Sequence, residues 1–232
     1  MEYMGNQKYW DDKFANRNDK PLSPESSLVE NISCFKKGTV LDIACGDGRN
    51  TMFLIENGFR VTGIDFSSIA LTRLQRFAEG NNYVVNTKQI NLSVSNSLND
   101  IGIFDNILIN HYRLSKEQLA SIEKHINDNG ILFICGFGEK HIVDSKIKKE
   151  DLIQVSDFYD IHKAFELVKY IENEDDRGFF VTYIFRKKKF RTENVIDDLD
   201  LRNEEINSHL VRINPQIRIT EADEKYVIDM IS

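Results

Sequence analysis

Short apolar runs alternate with amphipathic segments along most of the chain. The apolar runs predict five strands, at 38–44, 59–65, 83–90, 104–109 and 131–135. Segments with apolar side chains at helical spacing predict helices at 7–20, 28–34, 48–57, 67–79, 115–126 and 148–158. Strands that alternate with helices are typical of a parallel sheet covered on both faces.

Turn and cap residues place the boundaries of these elements. Asn57–Gly58 and Gly80 are typical helix ends, and residues 115–118 have the pattern of a capping box. The apolar runs 165–171 and 179–185 flank an acidic turn at 172–178, which predicts an antiparallel hairpin. The chain therefore begins as a parallel α/β unit and finishes with two antiparallel strands.

The stretch 40–50 carries the most chemical information. An interior strand ends in a turn with Gly46 and Gly48, where the backbone can bend sharply and a ligand can approach main-chain atoms. The next strand ends on Asp65, a position from which a carboxylate can accept hydrogen bonds from both hydroxyls of a ribose. The two features together predict a nucleoside-binding half of an α/β fold.

The turn is not suited to a dinucleotide. The third glycine of a dinucleotide motif is replaced by Thr51, and Asp47 lies close to Asp42 in sequence, so a pyrophosphate would be repelled. The same carboxylates suit a ligand that carries an amine and a sulfonium cation. A nicotinamide-dependent oxidoreductase is therefore disfavoured.

The residues from Leu41 to Asn50 resemble motif I of the class I S-adenosylmethionine (SAM)-dependent methyltransferases. From Ala44 onward they resemble the small-molecule group that includes the tellurite-resistance methyltransferases. The resemblance covers roughly 8–188 in element order and is specific over 40–50 and 61–67. It implies an α/β fold, with a Rossmann-like, doubly wound, seven-stranded, mostly parallel sheet and a C-terminal antiparallel hairpin. It also implies methyl transfer from SAM to a small-molecule acceptor, with release of S-adenosylhomocysteine.

Ligands of open α/β sheets lie across the carboxyl ends of the strands. The resemblance implies that Gly46 and its neighbours approach the methionine part of SAM, Asp65 binds the ribose, Phe66 lies against the adenine and Asn91 accepts from the adenine amino group. The cofactor-binding residues predicted in this way are Asp42, Ala44, Cys45, Gly46, Asp47, Gly48, Arg49, Asn50, Asp65, Phe66, Ser67, Asn91, Leu92 and Asn110.

Methyl transfer from a sulfonium is an in-line displacement that needs alignment, and a base only if the acceptor must lose a proton. His111 and Tyr112, just past the fourth strand, are the candidate catalytic residues. A histidine satisfied by a backbone carbonyl is an equally open interpretation of His111. Phe137 is a candidate substrate contact past strand five, and Cys45 is interpreted as a packing residue.

The chain divides into three predicted parts: an N-terminal helical lid and loop at 1–30, the SAM-binding domain at 31–189 and an acidic helical extension at 190–232. Tyr9, Trp10 and Phe14 are either packing residues or a lid over the cofactor that excludes water. The extension is interpreted as helices packed on the domain, with an oligomer contact or a substrate cap as alternatives.

Composition restricts the function further. The net charge of −7 argues against general binding to nucleic acid, and three scattered cysteines argue against a disulfide framework. No metal site, membrane span or leader is expected, so the predicted location is the cytoplasm. A SAM- or S-adenosylhomocysteine-binding protein without catalysis, acting on a protein partner, is the alternative function. The acceptor and the oligomeric state stay open.

Overall fold

A seven-stranded sheet lies at the centre of the described residues, 6–144 and 147–189 of a computed structural model. The strands are β1 Thr39–Ile43, β2 Arg60–Asp65, β3 Asn86–Gln89, β4 Phe104–Asn110, β5 Ile126–Phe137, β6 Phe165–Asp175 and β7 Gly178–Lys187. Their order is β3-β2-β1-β4-β5-β7-β6, with β1 to β5 parallel and β7 antiparallel to both of its neighbours. The predicted fold class is confirmed.

The register of the central strands fixes the place of the site. Ile43 of β1 pairs with Ile64 of β2 on one side and with Ile109 of β4 on the other. The residues that follow each of these three strand positions are therefore brought to the same edge of the sheet. From β1, the chain adds β2 and β3 on one side of the sheet and then crosses to add β4 and β5 on the other side. Open α/β sheets bind ligands at such a switch point, which lies between β1 and β4.

Helices cover both faces of the sheet. They are α1 Gln7–Ala15, α2 Ser26–Asn31, α3 Arg49–Glu56, α4 Ser68–Gly80 and α5 Lys116–Ser121. Alternate residues of β1 face opposite sides, because Leu41 and Ile43 belong to one apolar cluster and Val40 to the other. Within the described residues, no helix is long and apolar enough to cross a bilayer. The predicted extension at 190–232 lies outside the described residues.

The helix predicted at 148–158 is wrong. Two short 3₁₀ turns, Lys149–Asp151 and Val155–Phe158, take its place. The side chains of Asp151 and Asp157 accept hydrogen bonds from the backbone N–H groups of Lys148 and Gln154, at 2.8 and 3.0 Å. Such local side-chain bonds compete with the helical ladder and end it after one turn.

Strand β5 is longer than predicted. It begins at Ile126 and continues through Asn129–Gly130, which form an irregularity inside the strand instead of the predicted turn before it. Asn129 has a φ of 58°, and the register against β4 shifts between Phe104 and Asn106. The chain thus makes a β-bulge where the sequence predicted a turn.

Several other boundaries differ from the prediction. Helix α1 ends at Ala15, not at residue 20, and α5 ends at Ser121 and continues as a 3₁₀ turn, Ile122–His125. The hairpin strands run into the predicted acidic turn and leave only residues 176–177 between them.

Of the third predicted strand, 83–90, only Asn86–Gln89 forms a strand, which is β3. Tyr83 still donates its N–H to the carbonyl of Ala78, so the end of α4 occupies the residues before it. Gly80 lies within α4 and does not cap it, because Asn81 is the cap residue and Asn82 takes the left-handed backbone.

Gly130 offers a test of the β5 bulge. A Cβ at this position would lie 2.5 Å from the carbonyl oxygen of Asp105, which is too close for any side chain. We expect Gly130→Ala to lower the free energy of unfolding by about 1–3 kcal/mol. A Cβ at Gly80 meets nothing within 4 Å, so Gly80→Ala should raise it by about 0.5–1 kcal/mol. Urea unfolding measures both, and equal values for the two variants would contradict the bulge geometry.

Candidate functional site

Asp65 joins the loops that follow β1 and β2. Its two carboxylate oxygens accept hydrogen bonds from the backbone N–H groups of Gly46 and Ser67, both at 2.9 Å. Asp65 is only 5% exposed, and burial raises its pKa, while the amides of Ser67 and Gly46 oppose this shift. Each oxygen has a second lone pair that can accept from a ligand hydroxyl. The structure thus brings Asp65 and the glycine turn together as predicted.

Asp42 lies inside the sheet and not at the open edge. It is 1% exposed, and its carboxylate accepts a hydrogen bond of 2.6 Å from the hydroxyl of Thr51. Burial raises the pKa of Asp42 to about 7, and repulsion from Asp65 adds to the shift. Thr51, which replaces the third glycine of a dinucleotide motif, therefore supplies the hydrogen-bond partner of a buried carboxyl group.

Asp47 is paired with two arginines. Arg17, from the segment after α1, lies 2.8 Å from its carboxylate, and Arg73 of α4 lies 3.2 Å from it. The Asp47 side chain is 2% exposed. Its charge thus holds the N-terminal segment and α4 against the glycine turn, and its predicted contact with a cationic ligand stays a prediction.

The two glycines of the turn have different roles. Gly46 has a φ of 56°, and a Cβ there would lie 3.1 Å from the ring of Phe14. The Phe14 ring therefore packs directly on the Gly46 backbone. Gly48 has a φ of 89°, and a Cβ there would lie 2.3 Å from Leu74 of α4. Gly48 is therefore required for packing of α4, and Gly46 allows the close approach of Phe14.

Helix α1 lies over the turn at the strand ends. Phe14 is 5% exposed and covers Gly46, while Trp10 is half-buried beside it with ring centroids 5.8 Å apart. Tyr9 is 49% exposed and contacts Trp10 from the outer side. Asp11 accepts a hydrogen bond from the hydroxyl of Ser67, which also caps α4. Phe14 is therefore the side chain of α1 that packs on the glycine turn, and its role as a lid stays a prediction.

The segment between α1 and α2 is bound by the start of α3. Arg49 donates to the carbonyl of Ser23 at 2.7 Å, and the side-chain oxygen of Asn50 accepts from the N–H of Glu25 at 2.9 Å. Burial lowers the pKa of Arg49, but nearby Glu25 opposes this shift. Both predicted cofactor residues thus hold the N-terminal segment in place.

A charged cluster lies past the end of β4. His111 Nε2 is 2.8 Å from a carboxylate oxygen of Glu25, and Arg177 donates to both oxygens of the same carboxylate at 2.8 and 3.1 Å. Glu25 is 1% exposed. Burial alone would raise the pKa of Glu25, but the bonds from His111 and Arg177 hold it well below its usual range.

Aromatic rings surround the imidazole of His111. Its centroid lies 5.5 Å from the ring of Phe137 and 5.2 Å from that of Phe180. His141 packs against the other side of Phe137 at 4.3 Å. The predicted contact Phe137 is therefore next to the predicted catalytic histidine.

The other predicted residues at the strand ends are dispersed. Tyr112 lines a small crevice with Ile153 and Phe158. Asn91 is exposed, and its side-chain oxygen accepts from Ser93 in a local turn. Leu92 is buried in the core, and the half-buried Phe66 accepts from Gln89 through its carbonyl. These contacts do not bring Asn91 or Tyr112 to the glycine turn.

Asn110, Ala44 and Cys45 complete the predicted set. The side-chain oxygen of Asn110 is buried and has no hydrogen-bond partner among the described residues. Asn110 ends β4 beside Ala44, whose φ is 56°. Burial raises the pKa of the Cys45 thiol well above its ordinary value, and Asp42 and Asp65 add to the shift. Cys45 is therefore a buried neutral thiol, as its interpretation as a packing residue requires.

Sequence reasoning missed Glu25, Arg177, Arg17 and Arg73. Glu25 and Arg17 lie in a polar loop with no periodic pattern, and in the sequence Arg177 is a single basic residue in an acidic turn. A buried arginine on a helix, such as Arg73, looks like a surface residue until its partner is known. Among the described residues, no group of three or more histidine, cysteine or acidic side chains forms a cation site.

The seven-stranded sheet, with its order β3-β2-β1-β4-β5-β7-β6, belongs to the Rossmann-like fold that solved structures of SAM-dependent methyltransferases share. Residues 3–177 match the family described as Tellurite resistance protein TehB. Because the match covers more than half of the 232 residues, the chain belongs to this family. The resemblance stated from the glycine turn is confirmed.

Individual relatives are more distant. The chain is 24% identical over 164 residues to the Haemophilus influenzae protein named Probable S-adenosyl-L-methionine-dependent methyltransferase TehB, covering 64% of this chain and 57% of that protein. It is 31% identical over 114 residues to Ubiquinone biosynthesis O-methyltransferase of Rickettsia akari, covering 46% and 45%. The chain thus spans about half the length of these curated relatives. The crystal structure of TehB from Haemophilus influenzae superposes with a TM-score of 0.59 at 23% identity, covering 77% and 67%.

The raised pKa of Asp42 predicts a pH-dependent cost of folding. The unfolded chain releases this proton near its ordinary pKa of 3.8 and the folded protein near 7, so stability falls as the pH rises through this range. We expect Asp42→Asn to be more favourable near pH 8 than near pH 5, by about 2–3 kcal/mol. Urea unfolding at the two pH values measures the difference, with Asp12→Asn on exposed α1 as the control. An equal effect at both pH values would contradict the shift.

Proposed function

We propose that the protein is a SAM-dependent methyltransferase that acts on a small-molecule acceptor and releases S-adenosylhomocysteine. The observation that carries the proposal is the position of the Asp65 carboxylate, hydrogen-bonded to Gly46 of the glycine turn at 2.9 Å. A ribose bound by Asp65 places the rest of a nucleoside along this turn. The relatives reported above are named methyltransferases, so binding without catalysis is not favoured.

The residues at the strand ends fit the parts of SAM. Asp65 is an acidic side chain at the end of β2 whose carboxylate oxygens can accept from ribose hydroxyls. Phe66, next along the chain, is half-buried and offers a ring for the adenine. The unpaired oxygen of Asn110 can accept from the ammonium group of the methionine part, and Gly46 lets that part approach the backbone. SAM supplies an activated methyl group, so the protein needs mainly to align an acceptor in line with it.

The acceptor side is assigned to the cluster around His111. Phe137 and Phe180 form an apolar wall, with ring centroids 4.7 Å apart. The guanidinium of Arg177 lies 4.7 Å from the ring of Phe180, and Glu25 lies 2.8 Å from His111. We favour a soft acceptor such as a thiol or a chalcogen oxyanion. Helix α1 closes the site from above, with Phe14 in contact with Gly46, so ligand exchange requires α1 to move.

Asp65 gives the first test. Asp65→Ala removes two charge-assisted hydrogen bonds to the ribose, each worth about 1.5–3 kcal/mol. We expect the affinity for SAM to fall at least about tenfold, as measured by calorimetry on a variant whose circular dichroism is unchanged. Asp65→Asn retains one acceptor oxygen, so its affinity for SAM should lie between those of the wild type and Asp65→Ala. A folded Asp65→Ala variant that binds SAM as well as the wild type would exclude Asp65 as the ribose ligand.

Phe14 tests the lid. We expect Phe14→Ala to speed the release of S-adenosylhomocysteine and to weaken its binding at least about tenfold, because the ring no longer covers Gly46. Stopped-flow fluorescence measures the release rate. Asp12→Ala is the matched control, since Asp12 lies on the same helix with an exposed side chain. Equal release from both variants would mean that α1 is a packing element and not a lid.

A further inference from the structure

His111 and Glu25 form a hydrogen-bonded pair past the end of β4. The Nε2–Oε2 distance is 2.8 Å, and the Glu25 side chain is 1% exposed against 23% for His111. A carboxylate accepts only from a protonated nitrogen, so this bond places the hydrogen of the neutral imidazole on Nε2. Nδ1 then carries the lone pair, and it makes no hydrogen bond to any described residue.

The charges around His111 keep Glu25 ionised. Arg177 of the β6–β7 turn donates to both oxygens of Glu25, Arg49 of α3 lies 3.7 Å from it, and Asp175 of β6 pairs with Arg177. His141, after β5, is separated from His111 by the ring of Phe137. When Nδ1 gains a proton, the positive charge of the imidazolium therefore lies directly against a negative carboxylate.

The pair also lies at the same edge of the sheet as the glycine turn. His111 directly follows Asn110, which ends β4 beside Ala44 and the glycine turn. Its backbone φ is 54°, and its N–H donates to the carbonyl of Cys135 at 2.8 Å, so the loop that carries the ring is fixed. An orienting carboxylate, a fixed imidazole and a free ring nitrogen are the parts of a general base.

We propose that His111 is the general base for a thiol acceptor and that Glu25 is its positioning residue, an assignment that rests on the proposed methyl transfer. The S–H proton of the acceptor passes to Nδ1 of His111. The sulfur lone pair then forms a bond to the methyl carbon of SAM, and the electrons of the broken carbon–sulfonium bond remain on S-adenosylhomocysteine. The imidazolium afterwards releases the proton to water.

Thiols match an imidazole base better than other protic groups do. The ordinary pKa values are about 6.5 for imidazole and about 8.5 for a cysteine thiol, whereas aliphatic hydroxyl groups are far weaker acids. Thiolate is also a soft nucleophile, which suits attack on a sulfonium methyl group. An oxyanion acceptor already carries a lone pair and needs no base.

Two thiols that differ in protonation state give the test. 2-Mercaptoethanol is protonated near pH 7, and 5-thio-2-nitrobenzoate is already ionised. We expect Glu25→Gln and His111→Asn to lower methyl transfer to 2-mercaptoethanol by about 100-fold or more and to keep transfer to 5-thio-2-nitrobenzoate within a few-fold. Asparagine tolerates the left-handed backbone at position 111, so His111→Asn should preserve the loop. This variant therefore provides the test if Glu25→Gln does not fold. The control is His162→Asn, remote from the site.

The pH profile and SAM affinity separate the outcomes. In both variants, the rate with 2-mercaptoethanol should keep rising with pH as the thiolate fraction of this thiol grows, whereas the rate of the wild type should level off at lower pH. Equal losses with both thiols would overturn the general-base assignment and leave a structural role. A wild-type protein that binds SAM but methylates neither thiol would overturn the thiol assignment alone. Failure to bind SAM would instead overturn the proposed function.

Discussion

The carboxylate of Asp65 is the interaction on which the site depends. It accepts from the amides of Gly46 and Ser67, and so it ties the loop after β1 to the loop after β2. Without it, two adjacent strand ends would each carry an unsatisfied amide, which costs about 1–3 kcal/mol when buried. In the proposed complex the same carboxylate binds the ribose, so one side chain would both form the turn and contact the ligand.

Buried charges then fix the N-terminal segment over this turn. Asp47 pairs with Arg17 and Arg73, and Glu25 pairs with Arg177 and His111. Breaking one partner of a buried pair leaves a costly uncompensated charge, so these pairs favour a single arrangement of the segment over the sheet. The segment after the proposed lid helix α1 is therefore held by ion pairs, and α1 itself is held by the packing of Phe14 on the glycine turn.

The sequence predicted the part of the fold that depends on local periodicity. The order of strands and helices and the place of Asp65 beside the glycine turn follow from apolar runs and strand-end residues. The 3₁₀ turns at 149–158 depend on aspartate side chains bonding to nearby amides, and the bulge at Asn129 depends on pairing with β4. The arginine partners of Asp47 and Glu25 come from distant parts of the chain, so no local pattern reveals them.

A crystal structure of the protein with S-adenosylhomocysteine tests the central claim most directly. We expect both ribose hydroxyls within hydrogen-bond distance of the Asp65 carboxylate, and the homocysteine part against Gly46 with its amino group near the side-chain oxygen of Asn110. The sulfur should point toward His111. A ligand bound elsewhere, or a ribose without contact to Asp65 while the Gly46 and Ser67 bonds persist, would contradict the assignment of the cofactor site.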